Sequence, residues 1–376
     1  MKEFPSYIES LNLEENPIDQ HLFVRKNCGL YFAKDLVVFE ITGKDSQKLL
    51  HSLLSNEINE LKEGSGNLHH LLTPKGKVQA EVEVFCLGDF YRLVCQKNQY
   101  ETLTKNLQMR IFRSDIKIID RTKDFFILGL YGPKSEQVLK TFDENFSTLR
   151  NEYQCGFLKL NGEEIFFNQE HLAGEMGFHL IIPTQKTKEI WETLSQNKEV
   201  IAIGEKAMES LKMEAGVPQF GIDFTNENLS LEVNLNKAVS NTKGCYLGQE
   251  PVARILSRGH VAKRLVGLIL DEDFNEKEVE IWPASDSKKK PLKRSIGKTT
   301  RFGFSPVLGK AIAFAMIKYD FLENNSHDHV HLFQGEQFLG KAKIQELPFY
   351  REGGINWLEG GPKMKRVVAP QTKTKK

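Results

Sequence analysis

"NTKGCYLGQEPVARI", Asn241–Ile255, places a cysteine in a turn, between a glycine and a tyrosine. A cysteine used for packing normally sits among apolar neighbours. Here Lys243 stands two positions before it, and Gly244 and Gly248 are read as permitting positive φ and an uncovered backbone. Pro251 falls in the first turn of a predicted helix through Val252, Ala253, Ile255 and Leu256, stopped by Gly259. A helix N-terminus and a nearby lysine both favour a thiolate. Cys245 therefore reads either as an exposed thiol, able to attack or to ligate a soft metal, or as a turn cysteine that packs.

Upstream, "GEKAMESLKMEAGVP" (204–218) is a predicted helix with Ala207, Leu211 and Ala215 on one side, ended by Gly216 and Pro218. Further back, "LFVRKN" (22–27) and "LVVFEI" (36–41) read as strands. A helix is expected from Asp45 to Leu61, with Leu49, Leu50, Leu53, Leu54, Ile58 and Leu61 on one stripe. Thr73–Gly76 is a hairpin turn, after which Val78, Ala80, Val82 and Val84 alternate with Gln79, Glu81 and Glu83. The same layout then recurs. "FFILGLYG" (125–132) is a strand, a helix starts at Pro133, Asn161-Gly162 turns a hairpin, and "GFHLIIP" (177–183) leads to a helix over Thr187–Leu194.

Two related α+β lobes follow, residues 1–120 and 121–204, the first completed by part of the 205–260 segment. Past Gly259 short strands alternate with turns, which predicts a small β-barrel over 261–350. The lysine-rich stretch "SDSKKKPLKRS" reads as a solvated hairpin tip, and the basic tail 351–376 as disordered.

A chain of 376 residues has room for two or three domains, and a net charge of +1 gives no field towards nucleic acid or an anionic membrane. No apolar run has the length of a membrane span. The N-terminal stretch carries Glu3, Glu9, Glu14 and Glu15 and no apolar segment, against a secretory or mitochondrial signal. The five cysteines are odd in number and widely spaced with no CxxC pair, so neither a zinc knuckle nor a disulfide framework is indicated, and a reducing cytoplasm is the simplest setting.

"KGCYLGQEPVARI", with Arg258-Gly259 after it, resembles the signature of the YgfZ-type folate-binding proteins, relatives of the glycine cleavage aminomethyltransferase (T-protein). The match covers Lys243, Gly244, Cys245, Tyr246, Gly248, Gln249, Glu250, Val252, Ala253 and Arg254. "LAGEMGFHLIIP" is similar to the family's pterin segment, and "GEKAMESLKMEAGVPQFGID" to its helix-to-loop segment. The resemblance implies an α+β fold, two lobes and a C-terminal barrel in a ring around a central cavity for tetrahydrofolate or a derivative. It also implies an accessory role in assembly or repair of iron–sulfur enzymes, with an indirect effect on tRNA modification. In that role Cys245 would handle sulfur or ligate a transient iron–sulfur cluster. Lys243, Gln249, Glu250 and Arg254 would shape the cavity mouth, and the partners would be assembly proteins or client enzymes. The alternative is a folate-dependent aminomethyltransferase or other one-carbon transferase.

The resemblance also makes Glu175 the pterin anchor, because one carboxylate accepts a ring N–H and the adjacent amine together. Gly174 and Gly177 would then let the flat ring approach. Without the resemblance, Glu175 reads as a solvated turn residue. Ala173 departs from the threonine common in the family. Ala80 and Glu81 stand where the true aminomethyltransferases carry an aspartate pair, which argues against methylamine transfer. Among weaker candidates, His327, His329 and His331 would share a strand face, and His69-His70 point to opposite faces. Arg254 and Arg258 would meet a folate carboxylate or a partner.

Overall fold

Two short helices, α1 (Glu3–Ser10) and α2 (Pro17–Val24), open the chain. The computed structural model describes residues 3–146, 151–272, 279–285, 294–324 and 328–350. The strand predicted from Leu22 is instead the last turn of α2. Pro17 sits in its first turn, and His21 and Val24 form its buried face. The strand comes later, as β1 (Cys28–Phe32), with all residues buried.

Next come β2 (Leu36–Thr42), α3 (Ser46–Leu53), β3 (Ser65–Leu72), β4 (Val78–Cys86), β5 (Phe90–Gln96), α4 (Lys97–Gln108) and β6 (Lys117–Asp120). The strands form a sheet in the order β3-β4-β5-β2-β6. Leu49, Leu50 and Leu53 of α3 and Leu103 and Leu107 of α4 pack with Phe39, Ile41, Ala80, Val84 and Leu93 of that sheet. The helix expected to reach Leu61 stops at Leu53. Leu54 is already extended and bridges Leu71, and the backbone N–H groups of Ser55 and Asn56 bond to His70 and His69 of β3.

The pattern is then repeated by β7 (Phe125–Tyr131), α5 (Ser135–Lys140), β8 (Cys155–Leu160), β9 (Glu163–Glu170), β10 (Gly177–Pro183), α6 (Thr187–Ser195) and β11 (Val200–Ala202). Its sheet has the order β11-β1-β7-β10-β9-β8. β1, read from sequence as part of the first lobe, is inserted here, antiparallel to β7 and parallel to β11. The repeat shows in a pair of glycines between strand and helix. Gly43 has φ +108° and Gly132 φ +125°, and a Cβ would stand 2.0 Å from Asp115 O or 2.2 Å from Asn27 O. Only glycine fits either turn.

After α7 (Glu205–Glu214) and α8 (Gln249–Arg258) the chain closes a barrel. Its strands are β12 (Lys263–Leu270), β13 (Glu280–Pro283), β14 (Gly297–Ser305), β15 (Lys310–Lys318), β16 (His329–Gln334) and β17 (Gln337–Gln345), in the order β12-β15-β14-β13-β16-β17. A short helix, α9 (Tyr319–Asn324), links β15 to β16. The fold is therefore α+β, two sheet lobes and a closed C-terminal barrel. One apolar cluster joins all three, with Phe85, Tyr131, Leu211, Tyr246 and Phe314 among its members.

A polar knot ties the same parts together. Glu214 at the end of α7 accepts hydrogen bonds from His21 Nε2 (2.8 Å) of α2, from Arg25 Nη2 (2.7 Å) just after α2, and from the hydroxyl of Ser305 at the end of β14. The N–H groups of Phe349 and Tyr350 donate to its backbone carbonyl. Most of the lysine-rich hairpin tip (286–293), the tail 351–376 and His327 lie outside the described residues.

Candidate functional site

Alternation along β4 sends Ala80 and Val84 towards α3 and α4, and turns Glu81 and Glu83 the other way. That other face is not open solvent. It borders a cavity of ≈ 120 Å³, lined also by Tyr131 of β7, His179 of β10, Lys212 of α7 and Arg301 of β14. Both sheets, α7 and the barrel thus contribute to one wall.

Glu81 is held in place from behind. Its Oε2 lies 3.2 Å from His70 Nε2, and His70 Nδ1 lies 2.6 Å from Ser230 Oγ. This corrects the argument from the missing aspartate pair. Ala80 is fully buried in the core of the first lobe, so a carboxylate there would not reach the cavity. Of these two positions, 81 is the one that reaches the cavity.

Deeper in the ring, Glu83, Glu170 and His179 bring three donor atoms within 4.8 Å of one another. Burial first, and then neighbouring carboxylates, push Glu83 and Glu170 above the ordinary carboxylate range. Burial also pulls His179 down to about 3, so its ring is neutral, and its Nε2 lies 2.6 Å from the Tyr131 hydroxyl. Lys212, another cavity residue, is lowered by burial. Arg301 is already engaged, with Nη2 2.8 Å from Asp223 Oδ2 and donating to Val217 O at 2.9 Å.

Glu175 is not among the cavity's lining residues. It is buried near the Glu214 knot, its Oε1 3.8 Å from Arg25 Nη1, and Arg25 donates to Ala173 O at 2.5 Å. The flanking glycines serve packing. Gly174 turns at φ +76° against Ala215, and a Cβ on Gly177 would stand 2.6 Å from the Tyr131 ring. The signal in "LAGEMGFHL" lies at its ends, since Leu172 and His179 line the cavity.

The Cys245 segment forms a separate place, since none of its residues lines the cavity. Lys243 is buried, and its Nζ donates to three carbonyls, His51 O (2.7 Å), Leu54 O (2.7 Å) and Asn56 O (2.6 Å). All three ammonium hydrogens are thereby used. Lys243 caps the C-terminal end of α3 and has no hydrogen left for a neighbouring thiolate. Burial lowers it to about 8. Tyr246 is buried beneath it, with the Lys243 Nζ 5.0 Å from its ring centroid.

Gly248 has φ +79°, and a Cβ there would meet Thr73 O at 2.3 Å, so this glycine lets α8 start against the Thr73–Gly76 turn. Gly244 does not have positive φ. Glu250 and Arg254 pair with each other at 2.7 Å on the exposed side of α8, and Gln249 is its first residue. Arg254 is not among the residues lining the cavity. Cys245 itself is exposed, whereas Cys28, Cys86, Cys95 and Cys155 are buried. An iron–sulfur cluster normally takes several thiolates, and among the described residues no other cysteine is exposed.

The barrel histidines do not gather. His329 is exposed beside Asp328, while His331 is buried against Phe338. Sequence reading missed Glu83, Glu170, His179 and the inward turn of Glu81. Alternation in β4 was the only available signal, and it does not say what lies on the second face.

Two sheet lobes of repeated order and a barrel around a carboxylate-lined cavity define a class of three-part folds. The GCVT N-terminal domain matches residues 3–243, and the glycine cleavage T-protein C-terminal barrel domain matches residues 263–351. The chain belongs to the glycine cleavage T-protein family. It is 25% identical over 340 residues to an aminomethyltransferase of Geobacillus sp. (strain WCH70), covering 89% of this chain and 90% of that protein. An aminomethyltransferase of Leptospira biflexa serovar Patoc is 23% identical over 333 residues, with 87% of each chain covered. The crystal structure of glycine cleavage system aminomethyltransferase T from Bartonella henselae superposes with a TM-score of 0.78 at 20% identity, covering 89% of both chains. No helix among the described residues is long and apolar enough to cross a membrane.

Proposed function

We propose that the chain binds a reduced folate in the central cavity and uses it for one-carbon transfer of the aminomethyltransferase kind. The observation that carries this reading is Glu81, a carboxylate on the cavity wall held by His70 and Ser230. A pterin presents adjacent N–H donors along one edge, and a fixed carboxylate accepts them with little ordering cost. Lys212 offers a cation on the same cavity for the acidic part of the ligand. The curated relatives are named aminomethyltransferase over nearly their whole length, which supports the reading. The test is ammonia release from an aminomethyl-loaded lipoyl carrier with purified protein and tetrahydrofolate. Release that is lost in Glu81→Gln is expected, and no release from the wild-type chain would remove the transfer step.

The exposure of Cys245 favours a second reading, a folate-dependent accessory factor for iron–sulfur enzymes in a cytoplasmic setting, with an indirect effect on tRNA modification. There Cys245 would take up sulfur or iron from an assembly partner and pass it to a client. Complementation of a deletion strain separates the two. In this reading Cys245→Ser fails to restore iron–sulfur enzyme activity, and in the first it restores function fully.

A further inference from the structure

We propose that Glu83, Glu170 and His179 form a binding site for one divalent transition-metal ion at the inner wall of the cavity. The site does not rest on the folate reading, because it is built from a different set of atoms. Glu83 comes from β4 of the first sheet, and Glu170 and His179 from β9 and β10 of the second. One ligand atom from each falls within 4.8 Å of the others. Donors on opposite sides of an ion bound at about 2.0–2.2 Å stand about 4 Å apart, so small side-chain rotations close the site.

The second observation is the direction of the unused atoms. His179 Nδ1 and Asn168 Oδ1 are buried without a hydrogen-bond partner, and the Glu83 and Glu170 carboxyls meet only each other on this side. Buried acceptors in such a group are each costly unless a donor or a cation meets them. His179 is 1% exposed and Glu170 0%, so bulk solvent does not reach them. The imidazole is also oriented for ligation. Tyr131 OH lies 2.6 Å from Nε2. A tyrosine oxygen accepting from Nε2–H leaves the Nδ1 lone pair for the ion, the usual arrangement behind a metal-bound histidine. Asn168 Nδ2 donates to Glu170 Oε1 at 2.7 Å and orients that carboxylate in the same way.

Charge around the group has the right sign. Glu81 and Glu152 add negative potential around Glu83, and Glu152 also around Glu170, partly offset by Lys237, which pairs with Glu152 at 2.8 Å. Glu83 and His179 line the cavity, which gives an ion its way in. Mixed imidazole and carboxylate donors suit Mn²⁺, Fe²⁺, Co²⁺ or Zn²⁺ and do not suit Cu⁺, which prefers sulfur.

The test uses the full chain, stripped with chelator and dialysed against Co²⁺ or Mn²⁺ at pH 7.5. One ion per chain is expected, with a Co²⁺ visible spectrum of mixed nitrogen and oxygen ligation and a rise in melting temperature on loading. His179→Gln and Glu170→Gln should each weaken uptake at least tenfold, and Tyr131→Phe about tenfold through the lost orientation. Glu175→Gln should bind as wild type does. Failure of the wild-type chain to take up either ion near one per chain overturns the site, whatever the variants do. Equal uptake by a folded His179→Gln variant overturns it as well.

Discussion

Glu81 Oε2 and His70 Nε2 lie 3.2 Å apart, and this contact links the cavity wall to Ser230 in the segment that follows α7. His70 is fully buried, so the pair is fixed by its surroundings. Replacing it with His70→Ala should cost about 1–3 kcal/mol of folding stability, because Ser230 loses its partner. Tetrahydrofolate affinity should fall severalfold as Glu81 gains freedom. His70→Gln, which keeps a polar group, should restore part of the affinity, as calorimetric titration would record. Equal affinity in all three proteins would detach Glu81 from folate binding.

Glu214 gives a prediction for acid. Burial pushes its carboxyl up, but hydrogen bonds and charge from His21, Arg25 and Ser305 outweigh this and hold it at about 2. His21 is itself lowered by burial, so at neutral pH its contact with Glu214 is a hydrogen bond and the charge comes from Arg25. A depressed carboxyl stabilises the fold above its unfolded value of 4.5, and that stability is lost as pH falls towards 2. His21 acts in the same direction, since its lowered pKa costs stability once pH drops below 6.5. Denaturant midpoints should therefore decline from about pH 6.5 downwards, most steeply below pH 4.5. Glu214→Gln should lose about 1.5–3 kcal/mol at pH 7 by weakening the charged hydrogen bond to Arg25, which keeps Glu175 at 3.8 Å, and should show a flatter acid decline.

Lys243 predicts an effect on folding without one on folate. Lys243→Met removes the donors for His51 O, Leu54 O and Asn56 O, at a cost of about 2–3 kcal/mol. Folate affinity at subsaturating denaturant should stay within about twofold, because no residue of this segment lines the cavity. A large loss of affinity in a folded Lys243→Met protein would make the segment part of the ligand site.

Cys245 should be the first thiol to react. The others are buried, and burial raises the Cys28 thiol and pushes Cys95 and Cys155 up to about 12. Iodoacetamide labelling of the native protein, read by peptide mass spectrometry, should modify Cys245 well before Cys28, Cys86, Cys95 or Cys155. Comparable labelling at Cys95 would show that the first lobe opens on the labelling timescale.

Much of the architecture was legible because its signals are local. The alternation from Val78 to Val84, the turns at Thr73–Gly76 and Asn161-Gly162, and the α7 pattern all depend on near neighbours. The errors came where distant chain decides. β1 joins the second sheet through β7 and β11, about 100 and 170 residues away in sequence, and α3 stops because β3 claims Ser55 and Asn56. Lys243 looked like a partner for Cys245, but its carbonyl partners lie nearly two hundred positions upstream. Glu175 reads as a solvated turn residue in the sequence, yet it is buried beside Arg25, which comes from the end of a helix about 150 positions upstream. The cluster at Glu83, Glu170 and His179 has no local signature, because three strands from two sheets supply it.

The central claim is that folate occupies the cavity and is held by Glu81. Calorimetric titration of tetrahydrofolate into the wild-type, Glu81→Gln and Glu175→Gln proteins tests it most directly. Binding should be saturable and one-to-one, weakened by about 1.5–3 kcal/mol in Glu81→Gln, the range for a hydrogen bond to a charged group, and unchanged in Glu175→Gln. The absence of saturable binding, or a loss in folded Glu175→Gln with none in Glu81→Gln, would contradict it.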